Sequence, residues 1–520
     1  MEELAARPFP LTKRATLSEA RLAYFEGDFE RCLAICADVG VQSVATASEI
    51  ALLSARACLR LARPREAESV LRETFNLHAT VDTSATAQML LGTARIRQGD
   101  HDGGITILET AAAGSLRAHF AIRSEIAFAI ALGYWAKRDI DAAERYLARV
   151  DPNADIIHAR ALELAAWCQF ARGEYRRSAE LFIVTLLRLD NCRAHDHAIA
   201  ATAISTLWIL AVELFDREFA RVAEQRASAM DWTSGLAMQQ YLTLLHQALF
   251  AELAGNTVQA YEFAIQAREI APTTACRAAA WSVTSIFARN AGEGCAAVVC
   301  AQRAQHLLTA QAAHDLQGEE RLALLAVAES CAHFDSQSAE QFLSAYWDLA
   351  PIDSIKVISG SPSLAAEETF VAGVVAQARG DVTGAASRYH RAFEESKRIG
   401  YVRRAILAAL ALLKLSGDQA AQNYLVAQFH GTSNYITRYL AQRGTANLPL
   451  PEQHPIVATL PHAQREVVLL VCQGKSNKEI AALRRVGEQT IKNMLTKDVF
   501  RAFGVSSRAA LVSVCLGGNA

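Results

Sequence analysis

The stretch Ala166-Trp167-Cys168-Gln169-Phe170-Ala171-Arg172-Gly173-Glu174-Tyr175 decides how most of this chain folds. Its small residues let two helices approach closely, and Gly173 accepts a left-handed turn. The aromatic ring after the acid then packs into the groove between the helices. Further out, Ala23-Tyr24-Phe25-Glu26-Gly27-Asp28-Phe29 repeats the phrase. Comparable turns fall at Pro64-Arg65, Gly99-Asp100 and Arg138-Asp139; weaker ones follow near Asp216, Gly255-Asn256, Gly292-Glu293 and Asp335, then Gly380-Asp381 and Gly417-Asp418. Successive turns lie roughly 35 to 45 residues apart, the period of helix-pair solenoids. Abundant Ala and Leu with few β-branched runs favour helix almost everywhere, so an all-α chain is expected.

The Gly-acid-aromatic turn followed by an Ala-rich second helix resembles the tetratricopeptide repeat over about residues 15 to 430. The pattern is degenerate, since the characteristic Trp, Leu-Gly and Pro positions are mostly missing. The resemblance implies an α-solenoid that holds a protein, peptide or small-molecule ligand. The expected organisation is a leader (1–14), a tetratricopeptide-like solenoid (15–440) with a break near 351–365, a Pro-rich linker (441–459) and a small C-terminal domain (460–516). The break is read from Ile358-Ser359-Gly360-Ser361-Pro362-Ser363. The linker is read from Pro449, Pro451, Pro455 and Pro461, a semi-extended composition.

The C-terminal domain reads as a helix-turn-helix. Ser476 is a good N-cap, and Glu479 completes a capping box. Ile480 and Leu483 supply the apolar face of the first helix, and a turn falls at Arg485-Val486-Gly487. In the second helix Ile491, Leu495, Val499 and Phe503 recur every four residues and face the core. Gln489, Asn493 and Thr496 then point away, with Lys492 and Lys497 on the flanks. Gln489 and Asn493 are the candidate base readers, because amide side chains can bond an adenine edge bidentately. Lys475, Asn477, Lys478, Thr490, Lys492 and Lys497 are candidate phosphate contacts, which position without specifying.

Four motifs resemble the DNA-binding domain of LuxR/GerE-family bacterial transcription regulators. They are Arg465-Glu466-Val467-Val468, Gly474-Lys475-Ser476-Asn477-Lys478-Glu479-Ile480-Ala481, Thr490-Ile491-Lys492-Asn493 and Gly504-Val505-Ser506-Ser507-Arg508. The resemblance implies a four-helix domain that binds double-stranded DNA. It also implies a homodimer formed through the last helix (507–516), with Leu511, Val512 and Cys515 as its apolar patch. Two departures stand out. Arg484-Arg485-Val486-Gly487 replaces the family's Leu-Gly-Ile-Ser, which puts Arg485 in a glycine's place. The span from Thr490 to Gly504 is also one residue longer than the family's, with the excess near Asp498.

Charge supports a DNA contact by the tip alone. The 520-residue chain has a formal net charge of −2, yet from Ile456 onward nine Lys+Arg face four Asp+Glu, so this segment is +5 and the rest −7. A basic tip attracts phosphate, and an acidic body is repelled by it. Eleven cysteines without paired spacing read as reduced thiols of a cytoplasmic protein; Cys32, Cys36, Cys295 and Cys300 are expected as small core residues. No secretory signal is expected at Met1–Lys13. The apolar run Thr202–Phe215, interrupted by Glu213, is read as too short for a membrane span.

Other chemistry finds little support. Gly474-Lys475-Ser476 ends like a phosphate-binding loop, but Leu469 stands in place of its first glycine. No ATPase, receiver or acyl-lactone-binding module is legible, so the repeats are expected to read the input signal. Cys192-Arg193-Ala194-His195-Asp196-His197 matches no zinc spacing and reads as a polar inter-repeat loop. No cofactor, metal or catalytic residue is expected. The leading expectation is a ligand-responsive transcription regulator. Its rival is an interaction scaffold whose altered helix-turn-helix has lost DNA binding.

Overall fold

A computed structural model of the chain describes residues 16–40, 43–73, 80–192, 196–232, 234–309, 315–316, 318–349, 362–431, 455–472 and 476–515. Among these residues the chain is all-α. Up to Gly431, helices follow one another in antiparallel pairs: α1 (Leu17–Phe25) with α2 (Phe29–Asp38), α3 (Val44–Arg60) with α4 (Pro64–Glu73), α5 (Val81–Arg97) with α6 (His101–Gly114), and α7 (Phe120–Ala136) with α8 (Ile140–Leu147). The series continues through α9 (Asp155–Arg172) and α10 (Tyr175–Asp190), α11 (His197–Leu214) and α12 (Arg217–Ser228), and α13 (Ala237–Leu253) and α14 (Thr257–Ile270). It ends with α15 (Thr274–Asn290) and α16 (Gly294–Thr309), α17 (Leu322–Cys331) and α18 (Ser336–Asp348), α19 (Pro362–Ala378) and α20 (Val382–Ile399), and α21 (Val402–Ser416) and α22 (Gln419–Gly431). Two compact units divide the chain, residues 1–169 with 180–199, and residues 170–179 with 200–520.

The turns inside the pairs fall where the sequence places them, and one device recurs. A residue in the left-handed region ends the first helix, and an Asp or Asn caps the second. Gly99 has φ 90°, and Asp100 then accepts a hydrogen bond from the Gly103 N–H at 3.0 Å. Gly27-Asp28, Gly255-Asn256 and Gly380-Asp381 repeat it, and Arg138-Asp139 does so without a glycine. The cap satisfies an orphan N–H of the new helix and holds the pair in a tight reversal.

Small residues then set how close the paired helices come. Buried alanines dominate the interior of both units, including Ala55, Ala67, Ala260, Ala264 and Ala385. A close crossing joins α5 to α6. A Cβ on Gly92 would stand 2.6 Å from Leu108 Cγ, and one on Gly104 would stand 2.7 Å from the Gly92 carbonyl oxygen. No side chain fits there.

Several expectations need adjusting. Pro362 and Ser363 open α19, so the interruption is shorter than 351–365 at its C-terminal side; 350–361 lie outside the described residues, as does the leader. The linker also ends earlier than 459. Pro455–Thr459 form a helix, α23, with Val457 buried, because a proline suits a first helical position that needs no N–H. Residues 432–454 lie outside the described residues. α11 exceeds the apolar run seen in sequence and is, by length and composition, long and apolar enough to cross a membrane. Yet 61% of it is buried against other helices, as in a core helix. Cys32 and Cys36 are core residues as expected, whereas Cys295, in the first turn of α16, is exposed and Cys300, near Tyr261 and Arg268 of α14, is half-buried.

The C-terminal domain comprises α23, α24 (His462–Cys472), α25 (Asn477–Arg484), α26 (Glu488–Asn493) and α27 (Arg508–Cys515). α26 runs on through a π-helical turn, Met494–Val499, into a last turn, Phe500–Phe503. Val467, Val468, Ile480, Ile491, Leu495, Val499, Phe503, Leu511 and Cys515 form its core.

Candidate nucleic-acid interface

The first helix of the motif is closed at both ends. The Ser476 hydroxyl accepts from the Glu479 N–H at 3.2 Å, and the Ser476 N–H donates to Glu479 Oε2 at 2.7 Å, which is the expected capping box. At the other end Arg485 takes φ 54° and ψ 43°, and the Val486 N–H reaches back to the Ala481 carbonyl at 3.0 Å. This reversal normally falls to glycine; here an arginine adopts it at a cost of about 1–2 kcal/mol.

Near Asp498 the second helix widens locally. A π-helical turn accommodates one inserted residue within an otherwise α-helical run, and it spans Met494–Val499, around Asp498. Ile491, Leu495, Val499 and Phe503 all remain buried on one side. Without the wider turn, an additional residue would rotate the downstream part of the helix by about 100° and carry Phe503 off the core.

The opposite face is polar and open. Gln489, Lys492, Asn493 and Thr496 stand three, four and seven residues apart, so they share one stripe, and all four are exposed. Gln489 Nε2 donates to Asn493 Oδ1 at 3.0 Å. The pair thereby leaves the Gln489 oxygen as an acceptor and the Asn493 amide as a donor, the complement of an adenine edge. The Thr496 hydroxyl donates to the Lys492 carbonyl at 2.9 Å. Thr490, Lys478 and Lys497 are exposed as well, and Lys475 lies outside the described residues. Asn477 is less available: half-buried, its oxygen accepts from Arg508 Nη1 at 3.0 Å, a bond that ties α25 to α27.

Four further residues differ from the sequence reading. Leu483 is 61% exposed, because the inner face of α25 is filled by Ile480 and Ala481. Arg484 lies flat in the domain, where its Nη1 donates to the Ala463 carbonyl at 2.7 Å and its Nε stands 3.2 Å from Glu466 Oε2. It braces α25 on α24. Leu511 and Cys515 are fully buried, since α27 packs on α24, on the end of α26 and on α22. They are therefore core residues and do not form an open dimer patch; the Val512 side chain lies outside the described residues.

Two cations were missed. Arg485 and Arg501 are exposed, and, like Lys478, Lys492 and Lys497, they have no ion pair among the described residues. Arg485 had registered as a defect of the turn, but it adds a positive charge beside the start of α26.

No family model matches this chain, and no curated protein matches it. Among solved structures, the apo form of RapI is 14% identical, with a TM-score of 0.47, over 64% of this chain and 95% of that one. The apo form of the quorum sensor NprR from B. thuringiensis is 11% identical, with a TM-score of 0.40, over 74% and 97%. Cut9–Hcn1 of the APC/C is 10% identical, with a TM-score of 0.29, over 82% and 92%.

Proposed function

We propose that this protein is a transcription regulator of the bacterial cytoplasm. Its C-terminal helix-turn-helix binds double-stranded DNA, and its repeats sense a ligand or a protein partner. One observation carries the reading: the polar stripe Gln489–Lys492–Asn493–Thr496 lies open opposite the buried Ile491, Leu495 and Val499. Both departures from the resembled family are accommodated by local backbone geometry. A ligand would act through differential affinity, favouring the state of the repeats in which the reader engages DNA. The repeats offer room for one, for example a cleft of about 360 Å³ lined by Tyr24, Leu52, Arg56 and Ile122. A homodimer on a two-fold site fits the same reading, through a surface other than Leu511 and Cys515.

The test is binding of the full chain and of residues 455–520 to genomic DNA fragments across a salt series. Lys492→Ala should lower affinity on all sequences and reduce the salt slope by about one. Asn493→Ala should cost about 1–3 kcal/mol on a preferred site only. Binding without salt dependence, or left unchanged by both variants, would favour the interaction scaffold.

A further inference from the structure

Within the first unit, α6, α7 and α8 enclose a cleft of about 300 Å³ that opens to solvent. Its apolar wall is built by Phe120, Ala127 and Ile130 of α7 and by the Tyr146 ring of α8. Tyr146 is fixed by its neighbours. Its ring stacks on that of Tyr134, with centroids 5.6 Å apart and planes at 14°, and the Tyr146 and Tyr134 hydroxyls donate to Glu109 Oε1 at 2.8 and 2.9 Å. Burial and the shared carboxylate push the Tyr146 pKa up, so the hydroxyl stays neutral.

Two guanidinium groups line the same cleft. That of Arg149 lies over the Tyr146 ring, 4.4 Å from its centroid, and is therefore placed by ring contact. That of Arg123 comes from the first turns of α7. Both arginines are exposed, and neither forms an ion pair among the described residues. They differ in this from Arg21, Arg56 and Arg160 of the same unit, which meet Glu49, Glu125 and Asp196. Among the described lining residues the carboxylate is Asp151, and it serves its own turn: Oδ1 accepts from the Asn153 N–H at 2.8 Å. Two guanidinium groups against one carboxylate leave the lining at +1.

These features select a ligand. The wall calls for an apolar body, and the cleft has the size of a small-molecule site. Guanidinium forks favour a planar oxyanion that they can bind bidentately, and the single excess charge matches one negative charge better than a phosphate dianion. We propose that the cleft between α6, α7 and α8 binds a small monocarboxylate with an apolar body. Its carboxylate accepts from Arg123 and Arg149, and its body lies against Phe120, Ile130 and Tyr146. The inference rests on the reading that the repeats sense a ligand, and it names the ligand's class.

The experiment titrates the full chain with phenylpropionate, indoleacetate and hexanoate by calorimetry, with the corresponding amides and inorganic phosphate as comparators. At least one acid should bind, and its amide should bind at least about tenfold more weakly. Arg123→Gln and Arg149→Gln should each weaken that acid at least about tenfold. Arg117→Gln, which removes an exposed cation outside the lining, should leave it unchanged. Helical circular dichroism checks each variant, and Arg123→Gln decides alone should Arg149→Gln lose structure with its ring contact. No acid bound below about 1 mM, equal binding of acid and amide, or an equal loss in Arg117→Gln overturns the proposal. Phosphate bound more tightly than every acid overturns it too and assigns the arginines to a phosphate ligand. DNA titrations on the same preparations separate the two readings. Specific DNA binding without acid binding sinks this inference alone, and the reverse result sinks the regulator.

Discussion

At the scale of single residues, Arg485 and His246 show how neighbours override preference. Arg485 adopts a left-handed backbone that costs about 1–2 kcal/mol, whereas the entropy a glycine loses there is about 0.5–1 kcal/mol. Arg485→Gly should therefore raise stability by about 0.5–1 kcal/mol, read from urea titration of residues 455–520, while removing one cation from the proposed DNA face. His246 carries a different consequence. Burial holds its pKa down to about 4, opposed by its backbone bond and by Glu213 and reinforced by Arg403. Unfolded histidine takes up a proton near pH 6.5 that the folded site refuses. Stability should thus fall as pH drops from 6.5 through about 4, and stay level above. Comparing urea midpoints of wild type and His246→Gln over that window tests it, since the variant should lose this component of the slope.

At the scale of elements, the π-helical turn in α26 holds one residue more than a plain α-helical turn would. Removing Asp498 should restore a plain α-helix in which Ile491, Leu495 and the former Val499 and Phe503 fall at intervals of four, three and four. Those spacings keep one face. The deletion should leave the domain folded and its DNA affinity within a few-fold of wild type. A loss of cooperative melting would show that the wider turn is itself required. The α5–α6 crossing allows less freedom. Gly104→Ala places a carbon against the Gly92 carbonyl and should cost about 1–3 kcal/mol, visible as a lowered melting temperature.

At the scale of the molecule, charge is segregated along the chain, with +5 from Ile456 onward and −7 before it. Non-specific DNA affinity of residues 455–520 should therefore exceed that of the full chain at low salt, with the gap closing as salt approaches 0.15 M, where the screening length is about 8 Å. A gap that persisted at high salt would point instead to direct cover of the reader by the repeats. Most of the plan was legible from local signals of this kind. Gly-Asp turns announced the helix pairs, and Ser476-x-x-Glu479 announced the start of α25, because caps and turns act over three or four residues.

The sequence by itself determined the all-α class, the spacing of the pairs, the capping box and the polar stripe on α26. Each depends on neighbours within a turn or two of helix, where periodicity and backbone preference decide. Tertiary structure alone decided that Leu483 faces water, that Arg484 is a brace, and that Leu511 and Cys515 belong to the core. It alone brought Arg123 and Arg149, from different elements, to one cleft. Which side of a short helix is covered depends on distant partners, and no local pattern encodes them.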